Sequence, residues 1–186
     1  MHQYELPIPE SRLIVVGGGV RSGKSSFALE LAHRLGKRRV FIATATAFDD
    51  EMKARIERHR EERQRDFDTV EEPVELAAAL DALPECDVAV VDCLTLWISN
   101  LLLHQEPMAA ILARVDDVVR VLQKRRFHAI LVTNEVGMSI HPPTPIGRMF
   151  VEVAGFTHQR VARAADEIHL AVLGTTLRIK PPPGAG

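Results

Sequence analysis

The chain has 186 residues, 46% of them hydrophobic and 26% charged, with a formal net charge of -2. That length and balance fit one soluble globular domain whose core needs no covalent staples. The charge argues against a general nucleic-acid binder, and no apolar run reaches the roughly 18 residues of a membrane span. The opening stretch MHQYELPIPESR lacks the apolar segment of a signal peptide, so the expected compartment is the cytoplasm. Cys86 and Cys93 form no CxxC pair and join no Cys/His cluster. They read as small buried residues of a reducing compartment.

Residues 1–11 hold two prolines and little apolar periodicity, and read as a tail. Short apolar runs then alternate with helical patterns. The runs 12–18, 38–45, 87–94, 128–136 and 167–174 are near-continuous Val/Ile/Leu segments, the pattern of strands buried on both faces of a parallel sheet. Residues 176–180 follow closely enough to close a final hairpin. The helical segments are 24–36, 49–64, 74–82, 95–104, 108–126 and 147–165. The first has Phe27, Leu31 and Leu35 on one stripe and Gly36 as its stop. The C-terminal PPPGAG cannot form a helix or a ladder. The alternation predicts a single three-layer α/β domain over 12–180, a mainly parallel sheet with helices on both faces, between tails 1–11 and 181–186.

One stretch carries chemistry on its face. Gly18-Gly19-Val20-Arg21-Ser22-Gly23-Lys24-Ser25 fits G-x-x-x-x-G-K-[ST] without a gap. Glycines let the backbone curl so that its N–H groups point at phosphate oxygens, and the following helix presents its positive end. Lys24 would bridge the outer phosphates and Ser25 would hold Mg²⁺. The motif lies after a strand and before a helix, the context it requires. Such a site needs a second metal carboxylate at the end of another buried strand. Asp92 in VAVVDCLT stands there. A strand-end aspartate that caps the next helix is the other reading of that residue.

The stretch FDDEMKARIERHREERQRDFDTVEEP is the least ordinary. Arg55, His59 and Arg63 share a helical face at i+4 steps. An imidazole among guanidinium groups has a lowered pKa and stays neutral, hence nucleophilic toward phosphorus. A solvated helix laced with ion pairs, with His59 one more surface residue, fits the same pattern. Farther on, TNEVG places Asn134 and Glu135 at a strand end, on the edge where α/β ligands bind. Glu135 there is a base, a substrate contact or a plain loop carboxylate. The stretch HPPTP (141–145) is a rigid loop beside that edge. His158 and Arg160 read as surface or interface positions, and Trp97 as core.

Taken together, GGVRSGKSSFAL, VFIATATAFDDEMKARIERHR, DCLTLWISNLL, ILVTNEVGMSIHP and AADEIHLAVLGTTLRIK resemble one family over about Leu13 to Lys180. It is the bifunctional adenosylcobinamide kinase/adenosylcobinamide-phosphate guanylyltransferase family of cobalamin biosynthesis. The resemblance implies a P-loop, RecA-like fold, commonly assembled as a homotrimer. It implies phosphorylation of adenosylcobinamide with ATP or GTP, then transfer of GMP from GTP to that phosphate through a GMP-histidine. It places the guanylylated histidine on His59. It places nucleotide contacts on Gly18 to Ser25, on Ala43, Thr44 and Ala45, on Arg60, Glu61, Glu62 and Arg63, and on Glu71 and Asp92. Asp92 stands where the family often has Glu, and RMFVEVAGFTHQ, with Glu152 and Thr157-His158, departs from the family's usual pattern. A single-activity small-molecule kinase and a non-enzymatic nucleotide switch are the rival readings of the same P-loop.

Overall fold

A computed structural model describes residues 11–46 and 66–181. The helix expected over 49–64, with His59 and Arg60 to Arg63, lies outside the described residues.

In chain order the elements are β1 (Leu13–Gly18), α1 (Lys24–Leu35), β2 (Arg39–Ala43), β3 (Asp68–Glu71), α2 (Leu76–Asp81), β4 (Val88–Asp92), α3 (Leu94–Leu103), α4 (Met108–Leu122), β5 (His128–Asn134), α5 (Pro145–Ala164), β6 (Glu167–Val172) and β7 (Thr175–Lys180). The strands form one seven-stranded sheet in the order β3-β2-β4-β5-β1-β6-β7. All neighbours run parallel except β6 and β7, which make the antiparallel closing hairpin. The expected strands and helices within the described residues are present, with ends shifted by a few positions.

The exception is β3, which the sequence reading did not include. Its residues Asp68, Thr69, Val70 and Glu71 carry one aliphatic side chain among polar ones, and most are exposed. It is an edge strand held by its ladder to β2, and such a strand has no apolar run to announce it.

Period-two alternation divides the core in two. Leu13, Val15, Val40, Ile42, Ala89, Val91, Ala129 and Leu131 pack on one face with residues of α2, α3, α4 and α5. Ile14, Val16, Phe41, Val88, Val90, Ile130 and Val132 pack on the other with Ala28 and Ala32 of α1. Adjacent residues of one strand thus feed opposite layers, which is why the central strands read as unbroken apolar runs. Trp97 is core as expected, 1% exposed, with its indole N–H donating to Val74 O at 2.8 Å. Cys86 and Cys93 are buried and free.

At the amino-terminal end of β4, Asp87 clamps the turn after α1. Its carboxylate accepts from the backbone N–H of Arg38 and Lys37 at 2.9 and 2.8 Å and from the Arg38 guanidinium. Those donors, the Arg38 amide foremost, hold its carboxyl down to about 2. Gly36 is packed directly on this clamp. A Cβ there would lie 2.2 Å from Asp87 Cβ. The side chain of Asp87 cannot retreat without leaving its donors, so Gly36→Ala is expected to cost about 3 kcal/mol by overpacking. In a domain of this size that lowers the thermal midpoint by roughly 6–12 °C. A melting curve checks it, and a shift under about 2 °C would show that the turn can give way.

Candidate active site

Because β1 to β6 run parallel, their carboxyl ends meet at one edge, where ligands of open α/β sheets bind. The phosphate loop leaves β1 at this edge. Gly18 has φ 158°, and a Cβ on it would stand 2.6 Å from both Ala171 O and Ser22 Oγ. No larger residue fits that approach without moving the β6 backbone. Arg21 (φ 56°) and Gly23 (φ 92°) take left-handed backbone, the second just before α1, and these reversals close the loop. Ser22 N–H donates to Gly19 O at 3.3 Å, and Phe27 N–H donates to Gly23 O at 3.0 Å to start the helix. From outside, the β6–β7 turn grips the loop through Gly174 N–H, which donates to Ser22 O at 3.2 Å.

Lys24 is the first residue of α1 and only 8% exposed. Its side chain folds back over the loop, and Nζ donates to Gly19 O at 3.2 Å. Ser25 follows it, half-buried. Ser22 Oγ is buried with no hydrogen-bond partner among the described residues, a hydroxyl left open inside a loop of the type that wraps phosphate.

The remaining expected residues within the described chain lie along the same edge. Ala43, the last residue of β2, pairs in register with Glu71 on one side and Asp92 on the other. Asp92 is half-buried at the end of β4. Thr44 is fully buried. Its hydroxyl donates to Cys93 O at 2.8 Å and accepts from Cys93 N–H at 2.8 Å, so both its hydrogen-bonding roles tie β2 to the residue after Asp92. Asn100 of α3 adds a strut, with Nδ2 donating to Thr44 O at 2.8 Å and Pro73 O at 3.0 Å. The peptide bond between Asp92 and Cys93 is cis. Burial pushes the Cys93 thiol up, the Asp92 carboxylate pushes the same way, and the Lys24 ammonium opposes them. The opposite charges of loop and strand end thus act on one buried point.

Sequence reasoning named Asn134 at this edge but missed the polar groups it joins behind the loop. Asn134 Nδ2 donates to Thr95 Oγ1 at 3.0 Å, and Thr95 Oγ1 lies 3.2 Å from Cys93 Sγ. His158, read as a surface or interface position, is mostly buried instead. Its Nε2 lies 2.7 Å from Thr133 Oγ1 and its Nδ1 lies 3.9 Å from Glu135 Oε2. Burial holds the imidazole below its ordinary range against the opposing pull of Glu135. Ala154 and Val161, four residues before and three after His158 and both buried, are the signal that would have turned this part of α5 inward. Arg160 is at the surface, ion-paired with Asp116 at 3.1 Å.

The family model described as cobinamide kinase / cobinamide phosphate guanyltransferase matches residues 14–179. The chain belongs to this cobinamide kinase/guanyltransferase family. It is 39% identical over 167 residues to the bifunctional adenosylcobalamin biosynthesis protein CobP of Pseudomonas aeruginosa, covering 89% of this chain and 96% of that one. It is 36% identical over 181 residues to the bifunctional adenosylcobalamin biosynthesis protein CobU of Escherichia coli K12, covering 90% and 99%. Among solved structures, the flagellar accessory protein FlaH of Methanocaldococcus jannaschii matches with a TM-score of 0.55 at 13% identity, over 94% of this chain and 80% of that one. The RadB recombinase matches with a TM-score of 0.53 at 18% identity, over 87% and 74%. The fold of this cobinamide kinase/guanyltransferase member is therefore that of RecA-like P-loop ATPases. No helix among the described residues is long and apolar enough to cross a membrane.

Proposed function

We propose that the chain phosphorylates the aminopropanol hydroxyl of adenosylcobinamide with ATP or GTP, then transfers GMP from GTP to the resulting phosphate to give adenosylcobinamide-GDP. The observation that carries this reading is the family match over residues 14–179, on a chain whose loop Gly18–Ser25 is shaped for phosphate. The loop amides and Lys24 bind the phosphates and neutralise charge that develops during transfer. Ser25 and Asp92 offer a hydroxyl and a carboxylate, hard oxygen donors of the kind Mg²⁺ prefers, at the edge where the phosphates bind. Bound there, Mg²⁺ would screen the phosphate charge.

In the second reaction the imidazole of His59 attacks the α-phosphorus of GTP. A P–N bond forms, the bond to the bridging oxygen breaks and pyrophosphate leaves. The substrate phosphate then takes GMP and frees the histidine. Arg60 to Arg63, Ala43 to Ala45, Glu71 and Asp92 contact the nucleotide in this reading. The catalytic unit is residues 12–180 between two tails, working in the cytoplasm as a homotrimer.

The test is incubation of the full chain with GTP labelled at the α-phosphate, with Mg²⁺ and without corrinoid, followed by a denaturing gel. Acid-labile, base-stable label on the protein is expected, and adenosylcobinamide phosphate should discharge it. A protein that binds GTP yet takes no label would sink the guanylyltransferase half of the reading.

A further inference from the structure

The edge that carries the phosphate loop holds a group of polar side chains that the nucleotide chemistry above leaves unused. Strand β5 lies between β4 and β1, so Asn134 pairs in register with Gly18. Glu135 follows, and its N–H donates to Gly18 O at 3.0 Å. The backbone thus ties Glu135 to the first glycine of the loop. The side chain is held as well. Oε1 accepts from Gly137 N–H at 2.6 Å, which leaves Oε2 turned toward His158 Nδ1 at 3.9 Å. Among the described residues, His158 is the one cationic or potentially cationic side chain in ion-pair range of Glu135. The imidazole is 19% exposed and the carboxylate 30%, so the base of the pair is walled in and its tip meets solvent. When the Thr133 hydroxyl donates to Nε2, the ring carries its proton on Nδ1, the side that faces Glu135.

One oxygen of this carboxylate is fixed by a backbone amide and the other faces the His158 imidazole. The N–H of Glu135 donates to Gly18 O, so the group adjoins the loop that would present the outer phosphates. We propose that Glu135 is the general base of phosphoryl transfer and that His158 is a positioning residue that steadies Oε2. The inference rests on the kinase reading above. The acceptor O–H bond breaks as its proton passes to Glu135 Oε2. The acceptor oxygen bonds to the γ-phosphorus while the bond from that phosphorus to the β–γ bridging oxygen breaks. ADP or GDP leaves, and the carboxyl returns its proton to water.

The experiment compares the full-length wild type with Glu135→Gln, His158→Ala and the double variant. Initial rates of ADP formation are measured with adenosylcobinamide and Mg-ATP, alongside thermal midpoints. Glu135→Gln is expected to lower kcat about 100-fold or more, with KM for ATP and acceptor within about threefold. His158→Ala is expected to lower kcat about tenfold, and the double variant should be no slower than Glu135→Gln, because His158 acts through the carboxylate. Glu135→Asp keeps the charge but withdraws it by one methylene, and should fall between. The proposal is overturned if Glu135→Gln or Glu135→Asp keeps wild-type kcat, or if the double variant loses the product of the two single losses. A wild type that forms no acceptor-dependent ADP overturns the kinase reading, and this inference with it.

Discussion

Lys24→Ala is expected to lower kcat/KM for phosphorylation of adenosylcobinamide by about 1000-fold, the upper range for removing one preorganised donor from a developing charge. The geometry explains the size. The ammonium is drawn in over the loop, mostly shielded from solvent, with Gly19 O already holding it at 3.2 Å. A phosphate entering the loop meets a cation already in position, with little side-chain freedom left to lose. The fold should hardly notice the change. Alanine is the better helix former at the start of α1. Lys24→Arg is expected to restore little, since a planar fork does not occupy the space of a compact ammonium. Steady-state rates with a melting curve check both variants. A loss below tenfold in a folded Lys24→Ala protein would mean that the loop amides carry the phosphates without it.

His59→Ala is expected to abolish covalent labelling by α-labelled GTP and, with it, formation of adenosylcobinamide-GDP. The mechanism routes all the GMP through this histidine, so the loss should be complete within detection. Phosphorylation of adenosylcobinamide needs no covalent nucleotide and should fall far less. That split separates the two half-reactions on one chain. Product formation with the label absent would require direct transfer from GTP to the substrate phosphate. Label that persists in the variant would move the carrier to another residue.

The sheet was legible in the sequence because its central strands are buried on both faces and read as continuous apolar runs. Val88 to Val91 and Ala129 to Val132 are the plainest cases. Helix α1 was legible through its stripe and its stop, and the phosphate loop through glycines whose spacing the backbone needs. What escaped was polar or long-range. Strand β3 has no apolar pattern, because an edge strand owes its place to ladder bonds with β2. The link from Thr44 to Cys93 joins residues 49 apart in the chain, and that from Thr133 to His158 spans 25. No local spacing encodes such pairs. Asp92 could be named from its place at the end of an apolar run and Glu71 from the resemblance, but their placement on either side of Ala43 follows only from the register of three strands.

The hydrogen bond from Gly174 to Ser22 ties the last two strands of the domain to the loop at its beginning. Gly174 itself takes positive φ, and the turn it makes has few other holds on the molecule, with Leu173 beside it almost wholly exposed. The turn and the loop are therefore expected to open together. Any anion that settles in the loop should hold both closed, so the amide of Gly174 should exchange its hydrogen more slowly when the loop is filled. The turn between the last two strands would then report occupancy of the loop at the beginning of the domain.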